Sequence, residues 1–160
     1  MPLKPPTIQH QKIIVIGSPG AGKTTFAKRL ATETGLPLFH LDALFWAPNW
    51  VENGAARFRA SLLEVLAQDS WIIDGNYMST MDLRLGAADA VYFIDVPFWR
   101  CTYRVITRWL CREGEQAEGC PQRIDLEFIK YVAWVFPRRD RRRLMRMLDE
   151  FRADGTVHII

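Results

Sequence analysis

Five short apolar runs mark the chain: "KIIVIG" (12–17), "LPLFHLD" (36–42), "WIID" (71–74), "AVYFID" (90–95) and "TVHII" (156–160). Each is rich in β-branched or aromatic residues and lacks polar alternation, the pattern of strands buried on both faces. Between them, apolar positions recur at helical spacing. That spacing predicts helices over 23–34, closed by Gly35 as a C-cap, over roughly 54–68, with Phe58, Leu62, Val65 and Leu66 on one side, and over roughly 97–112, 124–136 and 138–153. Strands alternating with helices give an α/β fold, a five-stranded parallel sheet in a three-layer α/β/α arrangement. Such sheets bind ligands beyond the carboxyl ends of their strands, so the residues closing each strand are the first place to look for chemistry.

The 160 residues suffice for one domain with a substantial core. A single domain is expected over 12–160, after a flexible tail over 1–11 in which "MPLKPPTIQHQ" has three prolines and no apolar stretch. No run approaches the roughly 20 apolar residues of a membrane helix, so no membrane contact is expected. Cys101, Cys111 and Cys120 form no CxxC pair and no even disulfide framework, which suggests free thiols and a cytoplasmic location. "REGEQAEGCPQ" (112–122), polar and flanked by helical patterns, is the expected lid. The net charge of +3 is modest, yet "RRDRRRLMR" (138–146) sets six arginines against one aspartate. Charge so localised favours a specific anion site over a general nucleic-acid field.

The segment Gly17-Ser18-Pro19-Gly20-Ala21-Gly22-Lys23-Thr24 matches G-x-x-x-x-G-K-[ST], with an apolar strand before it and a helix after it. Its glycines let backbone N–H groups turn inward on an anion, and the helix N-terminus adds partial positive charge. Lys23 is expected to bridge the β- and γ-phosphates of ATP and the Thr24 hydroxyl to ligate Mg²⁺, with Thr25 continuing the cradle.

Of the strand-end carboxylates, Asp74 and Asp95 compete for the metal side. An unpaired carboxylate there is costly to desolvate, and Mg²⁺ held through water offsets that cost. Asp74 is preferred because Gly75 lets the chain turn away beside the phosphates; either residue alternatively caps the next element. Asp42, ending "PLFHLD", is placed to orient an acceptor hydroxyl or take its proton, or else to cap a helix or turn. Nearby His40 reads first as a satisfied core histidine. Trp46 and Trp50 offer rings for stacking, though packing is their commoner use. Arginines at 100, 104, 108 and 112 repeat every four residues without an acidic partner before Glu113, a repulsive ladder that gains if it faces a polyanion.

Together these residues resemble the adenylate-kinase-like branch of P-loop proteins and, more narrowly, the topology modulation protein (FlaR-related) family, also filed among AAA-type ATPases. The narrow resemblance runs from about residue 12 to about residue 150 through "GSPGAGKTT", "HLDALFW", "WIIDGNY", "DLRL", "DVP" and "GCPQRIDLEF" with its trailing "PRR". It implies that Arg104 lies over the adenine and that Arg108 touches the phosphates. Asp74-Gly75 resembles the start of the adenylate kinase acceptor motif, which continues with an aromatic residue, proline and arginine; here the chain reads "DGNYMSTMDLR" and the first arginine is Arg84. Some adenylate kinases hold the lid with four zinc-binding cysteines. Cys111 and Cys120 alone cannot do so, and no structural zinc is expected. The family name implies an effect on DNA supercoiling, but no DNA-reading module appears.

The expectation is an ATP-dependent phosphotransferase of nucleoside-monophosphate-kinase type. Lys23, Arg108 and Asp42 act at the reacting groups, Thr24 and Asp74 position Mg²⁺, and Asp42, Arg57 or Arg59, Arg84 and Arg138 hold a small-molecule acceptor. The alternatives are a regulatory ATPase associated with DNA, motivated by the 138–146 cluster, and a small-metabolite kinase differing only in what Asp42 and Trp46 contact.

Overall fold

A computed structural model describes residues 10–111, 115–117, 120–121 and 126–160. Its elements run β1 (Lys12–Gly17), α1 (Lys23–Thr34), β2 (Leu38–His40), α2 (Leu41–Phe45), β3 (Trp46–Ala47), β4 (Val51–Glu52), α3 (Ala55–Leu66), β5 (Trp71–Asp74), α4 (Met81–Leu85), β6 (Ala90–Ile94), α5 (Phe98–Leu110), β7 (Glu115–Ala117), β8 (Cys120–Pro121), α6 (Leu126–Lys130), a π-helical segment (Tyr131–Asp140), α7 (Arg141–Phe151) and β9 (Thr156–Ile159). The five expected strands form one sheet in the order β2-β5-β1-β6-β9, and every neighbouring pair is parallel. β3 with β4, and β7 with β8, form two small antiparallel ribbons.

Alternation within the strands divides the core. Ile14, Ile16, Ile73, Val91 and Phe93 pack on one face with Phe58 and Leu62 of α3 and Leu144 and Leu148 of α7. Ile13, Val15, Ile72, Tyr92 and Ile94 pack on the other with Ala27 and Leu30 of α1 and Cys101 and Val105 of α5. Both faces are covered, which is why the strands read as continuous apolar runs. α1 ends where expected: Gly35 adopts φ 73 and its N–H donates to the Ala31 carbonyl, closing an αL C-cap.

Three boundaries differ from expectation. β2 stops at His40, so Asp42 does not end a strand; it lies in the first turn of α2, where a carboxylate is favoured by the helix N-terminus. The helices expected on either side of Pro137 are joined through the π-helical segment, which contains that proline; a wider turn accommodates a ring that lacks an N–H and clashes with the preceding turn. Gln11, assigned to the tail, is already tied to the sheet: its N–H donates to Asp89 at 2.9 Å and its carbonyl accepts from Trp71 N–H at 2.8 Å. Of the expected lid, 112–122, only the β7–β8 residues 115–117 and 120–121 are described; the rest, with Arg112, lies outside the described residues, as do residues 1–9 of the tail.

Candidate active site

β1 lies between β5 and β6, so the loops leaving β1 and β5 emerge side by side at the point where the strand order reverses. Parallel register aligns His40 with Asp74, and Asp74 with Val15. One cleft of about 1070 Å³ follows, lined by Pro19 to Arg29 except Ala27 and by His40, Asp42, Ala43, Asp74 to Tyr77, Arg104 and Arg108, among others.

The phosphate loop turns as its sequence requires. Gly20 and Gly22 sit at φ 81 and 95, and Gly22 serves as N-cap of α1 without a side-chain bond, leaving the helix's first N–H groups open to an anion. Lys23 Nζ donates to the Ser18 carbonyl at 3.0 Å, holding the ammonium over its own loop. Burial pulls Lys23 below the usual lysine value, opposed by the charges of Asp74 and Asp42 and abetted by Arg108. Arg108 is therefore within electrostatic reach of the phosphate lysine. Arg104 Nη1 lies 3.4 Å from the carbonyls of Gly20 and Ala21. Both arginines stand on α5, one turn apart, and line the cleft.

Asp74 is buried at 6% exposure. Its Oδ2 accepts from Thr24 Oγ1 at 2.9 Å and meets His40 Nδ1 at 2.9 Å. Its Oδ1 has no partner although fully enclosed, and an orphaned carboxylate oxygen next to the P-loop threonine is the donor set that Mg²⁺ or its bound water completes. The residues fit the metal. Asp95 does not compete: its two oxygens accept from Arg141 at 2.9 and 2.6 Å. His40, read as a core residue, is half-buried and holds the Asp74 carboxylate through its Nδ1 contact.

On the same wall, Asp42 Oδ1 accepts from Tyr77 Oη at 2.7 Å. Burial raises Asp42 above the ordinary carboxylate value, partly offset by the Tyr77 bond and by Lys23. Tyr77 and Asn76 were not foreseen. Asn76 accepts from Gly17 N–H at 3.1 Å through Oδ1 and donates to the Gly17 carbonyl at 2.7 Å through Nδ2, pinning the mouth of the phosphate loop. The available signal was their place directly after "WIID", on the loop beside the P-loop.

Four expected acceptor arginines are elsewhere. Arg57 and Arg59 lie exposed in the first turns of α3 and do not line the cleft. Arg84 is fully buried and donates to the backbone carbonyls of Gly75, Asn76 and Tyr77, because the helix α4 turns its side chain back under the β5 loop. Arg138 stacks on the Trp134 ring, 3.3 Å from its centroid, and Arg139 pairs with Asp140 at 2.8 Å. With Arg141 held by Asp95, half of the 138–146 arginines are already partnered within the chain. Arg100 lies 5.3 Å from the Trp99 ring centroid. Trp46 packs edge-on to Phe45 at 4.8 Å, and the Trp50 side chain lies outside the described residues. Cys101 and Cys111 are free thiols, and no helix among the described residues is long and apolar enough to cross a membrane.

Comparison with known proteins agrees with this geometry. A family model described as "ATPase family associated with various cellular activities (AAA)" matches residues 13–73. The ATP-dependent zinc metalloprotease FtsH of Pirellula staleyi is 38% identical over 61 residues, which are 38% of this chain and 9% of that protein. FtsH of Syntrophus aciditrophicus is 43% identical over 47 residues, 29% and 6% of the two chains. The chain thus spans less than a tenth of the length of these relatives. The shikimate kinase from Acinetobacter baumannii, solved with shikimate, superimposes with a TM-score of 0.59 at 18% identity over 93% of this chain and 83% of that one. Motif, sheet order and superposition describe a three-layer α/β/α fold with a five-stranded parallel sheet, similar in fold to that shikimate kinase, and the segment carrying the phosphate loop is similar in sequence to AAA ATPases.

Proposed function

We propose that the protein is an ATP-dependent phosphotransferase whose small-molecule acceptor presents a hydroxyl group. The observation that carries this is the β2–α2 and β5 wall of the cleft. It offers Asp42, its Oδ1 held by Tyr77, within the electrostatic reach of Lys23, and among the described residues it contributes no lysine or arginine. A nucleoside monophosphate needs cations for its phosphate, and Arg57, Arg59, Arg84 and Arg138 are all engaged or placed elsewhere. A carboxylate beside an acceptor hydroxyl orients it and takes its proton, so the small-metabolite reading is favoured over the nucleoside-monophosphate one.

In the reaction, the phosphate loop holds the triphosphate and Lys23 exchanges its bond to the Ser18 carbonyl for the phosphate oxygens. Thr24 and Asp74 are the residues that would hold Mg²⁺, which would supply neutralisation of the charge developing on the phosphates. The acceptor oxygen forms a bond to the γ-phosphorus as the bond from that phosphorus to the β–γ bridging oxygen breaks; the hydroxyl proton passes to Asp42 and ADP leaves. Arg108 stabilises charge on the transferring group.

The test is ADP formation with Mg²⁺ and ATP across a panel of small hydroxylated metabolites, nucleosides and nucleoside monophosphates. One hydroxylated class should stimulate turnover. Asp42→Asn should lower the stimulated rate by about 10²- to 10⁴-fold while ATP still binds, and Lys23→Ala should abolish turnover in a folded protein. Stimulation by nucleoside monophosphates alone, or an undiminished rate in Asp42→Asn, refutes the reading.

A further inference from the structure

The loop that leaves β5 carries two side chains that go to opposite halves of the cleft. Asn76 reaches back to Gly17 and grips both its N–H and its carbonyl. Tyr77 reaches to Asp42. Between these arms the backbone is held in an unusual form: Tyr77 has φ 26, a positive value that a non-glycine residue rarely adopts and that other contacts must impose.

Arg84 supplies those contacts. It has no solvent exposure; Nη1 donates to the Gly75 carbonyl at 2.8 Å, and Nη2 donates to the carbonyls of Asn76 and, at 3.0 Å, Tyr77. Among the described residues no carboxylate pairs with it, and its Nε is buried without a partner. An enclosed cation facing only carbonyl dipoles is a costly way to obtain stability alone. What it does obtain is a fixed conformation for three consecutive residues, through a planar fork that a lysine cannot reproduce.

We propose that Arg84 is a positioning residue that locks the phosphate loop and the acceptor carboxylate into one register, acting through Asn76 on Gly17 and through Tyr77 on Asp42. The acceptor half of this inference rests on the phosphotransferase reading given above; the nucleotide half does not. Without the fork, the 75–77 carbonyls relax, Asn76 loses its two-point hold and Tyr77 no longer aims its hydroxyl. Displacements of about 1 Å at reacting groups cost on the order of 10²-fold in rate.

Two mutant cycles test it. In the first, the Kd of Mg·ADP is measured by calorimetry for the wild type, Arg84→Ala, Asn76→Ala and the double variant. Arg84→Ala should weaken ADP about tenfold in the wild-type background and less than twofold when Asn76 is already alanine, because no arm remains to misplace. In the second, kcat with the stimulating acceptor and the ratio of ADP formed to acceptor phosphorylated are measured in wild-type and Tyr77→Phe backgrounds. Arg84→Ala should lower kcat about 10- to 100-fold and raise that ratio in the first background only. Equal factors in both backgrounds, or an unchanged ADP affinity, would mark Arg84 as a structural residue only and overturn the proposal. Arg84→Lys, which keeps charge and stem but loses the fork, carries the same cycles if the alanine variant does not fold. If no acceptor is phosphorylated by the wild type, the phosphotransferase reading fails, and the ADP cycle still decides the clamp.

Discussion

Adding one methyl group at Gly20 probes the link between the phosphate loop and helix α5. A Cβ built there stands 2.6 Å from the Cys101 carbonyl oxygen and 3.0 Å from Val105 Cγ2, and φ is +81. Two penalties follow. An L side chain in the left-handed region costs about 1–2 kcal/mol, and forcing a methyl into a packed contact costs about 1–3 kcal/mol more, for a total of about 2–5 kcal/mol. Over most of the range of about 5–15 kcal/mol typical of domains, such a loss leaves the protein folded. The obstacle is backbone, so relief must come from moving the loop or α5, the helix that carries Arg104 and Arg108 into the cleft. Gly35→Ala is the control. That glycine has φ +73 but nothing within 4 Å of its Cβ, so it bears only the conformational penalty of about 1–2 kcal/mol. Urea unfolding should place Gly20→Ala about 1–3 kcal/mol below Gly35→Ala, and calorimetry should show ADP affinity lowered at least about tenfold in Gly20→Ala alone. If the two variants unfold together and bind ADP equally, the loop and α5 are not coupled through this contact.

Asp74→Asn should raise the Mg²⁺ concentration needed for half-maximal turnover by at least about tenfold while leaving metal-free ADP affinity within about twofold; an unchanged Mg²⁺ requirement would remove Asp74 from the metal side. Asp42 tests the pH linkage. Burial raises its folded pKa above the unfolded value, so the native state binds the proton more tightly and stability falls as pH rises from the ordinary carboxylate range through the raised value. Asp42→Asn should abolish that slope and unfold at higher urea than the wild type at neutral pH; a wild-type slope in the variant would contradict it. Arg141→Ala, which breaks the two bonds to Asp95 at a pair 40% and 29% exposed, should cost about 1 kcal/mol after allowance for solvent screening and leave ADP affinity unchanged, as read by urea unfolding and calorimetry.

Much of this architecture is local in origin. Continuous apolar runs over 12–17, 71–74 and 90–94 could only be strands covered on both faces, and G-x-x-x-x-G-K-T between a strand and a helix specifies its own turn, because glycines with positive φ and a free helix N-terminus are properties of a few consecutive residues. Gly35 ends α1 for the same kind of reason. The sequence left Asp74 and Asp95 as alternatives at the strand ends. Their surroundings differ through Arg141, 46 residues away in sequence, which occupies Asp95, and through the β5 end, where Asp74 accepts from Thr24. The resemblance to the adenylate kinase acceptor motif also suggested Arg84 as an acceptor ligand, but nothing in the sequence tells which way a helix turns its arginine. The packing of α4 against the β5 loop sends it inward to three carbonyls. Arg138 had a ring four residues earlier on its own helix, a contact visible only once the π-helical segment runs through Pro137. The sequence by itself determined the fold class, the nucleotide loop and its lysine, since these depend on backbone conformation and short-range pattern. The tertiary structure decided which of many charged residues face the cleft, since that depends on the direction of side chains and on competing partners far apart in the chain.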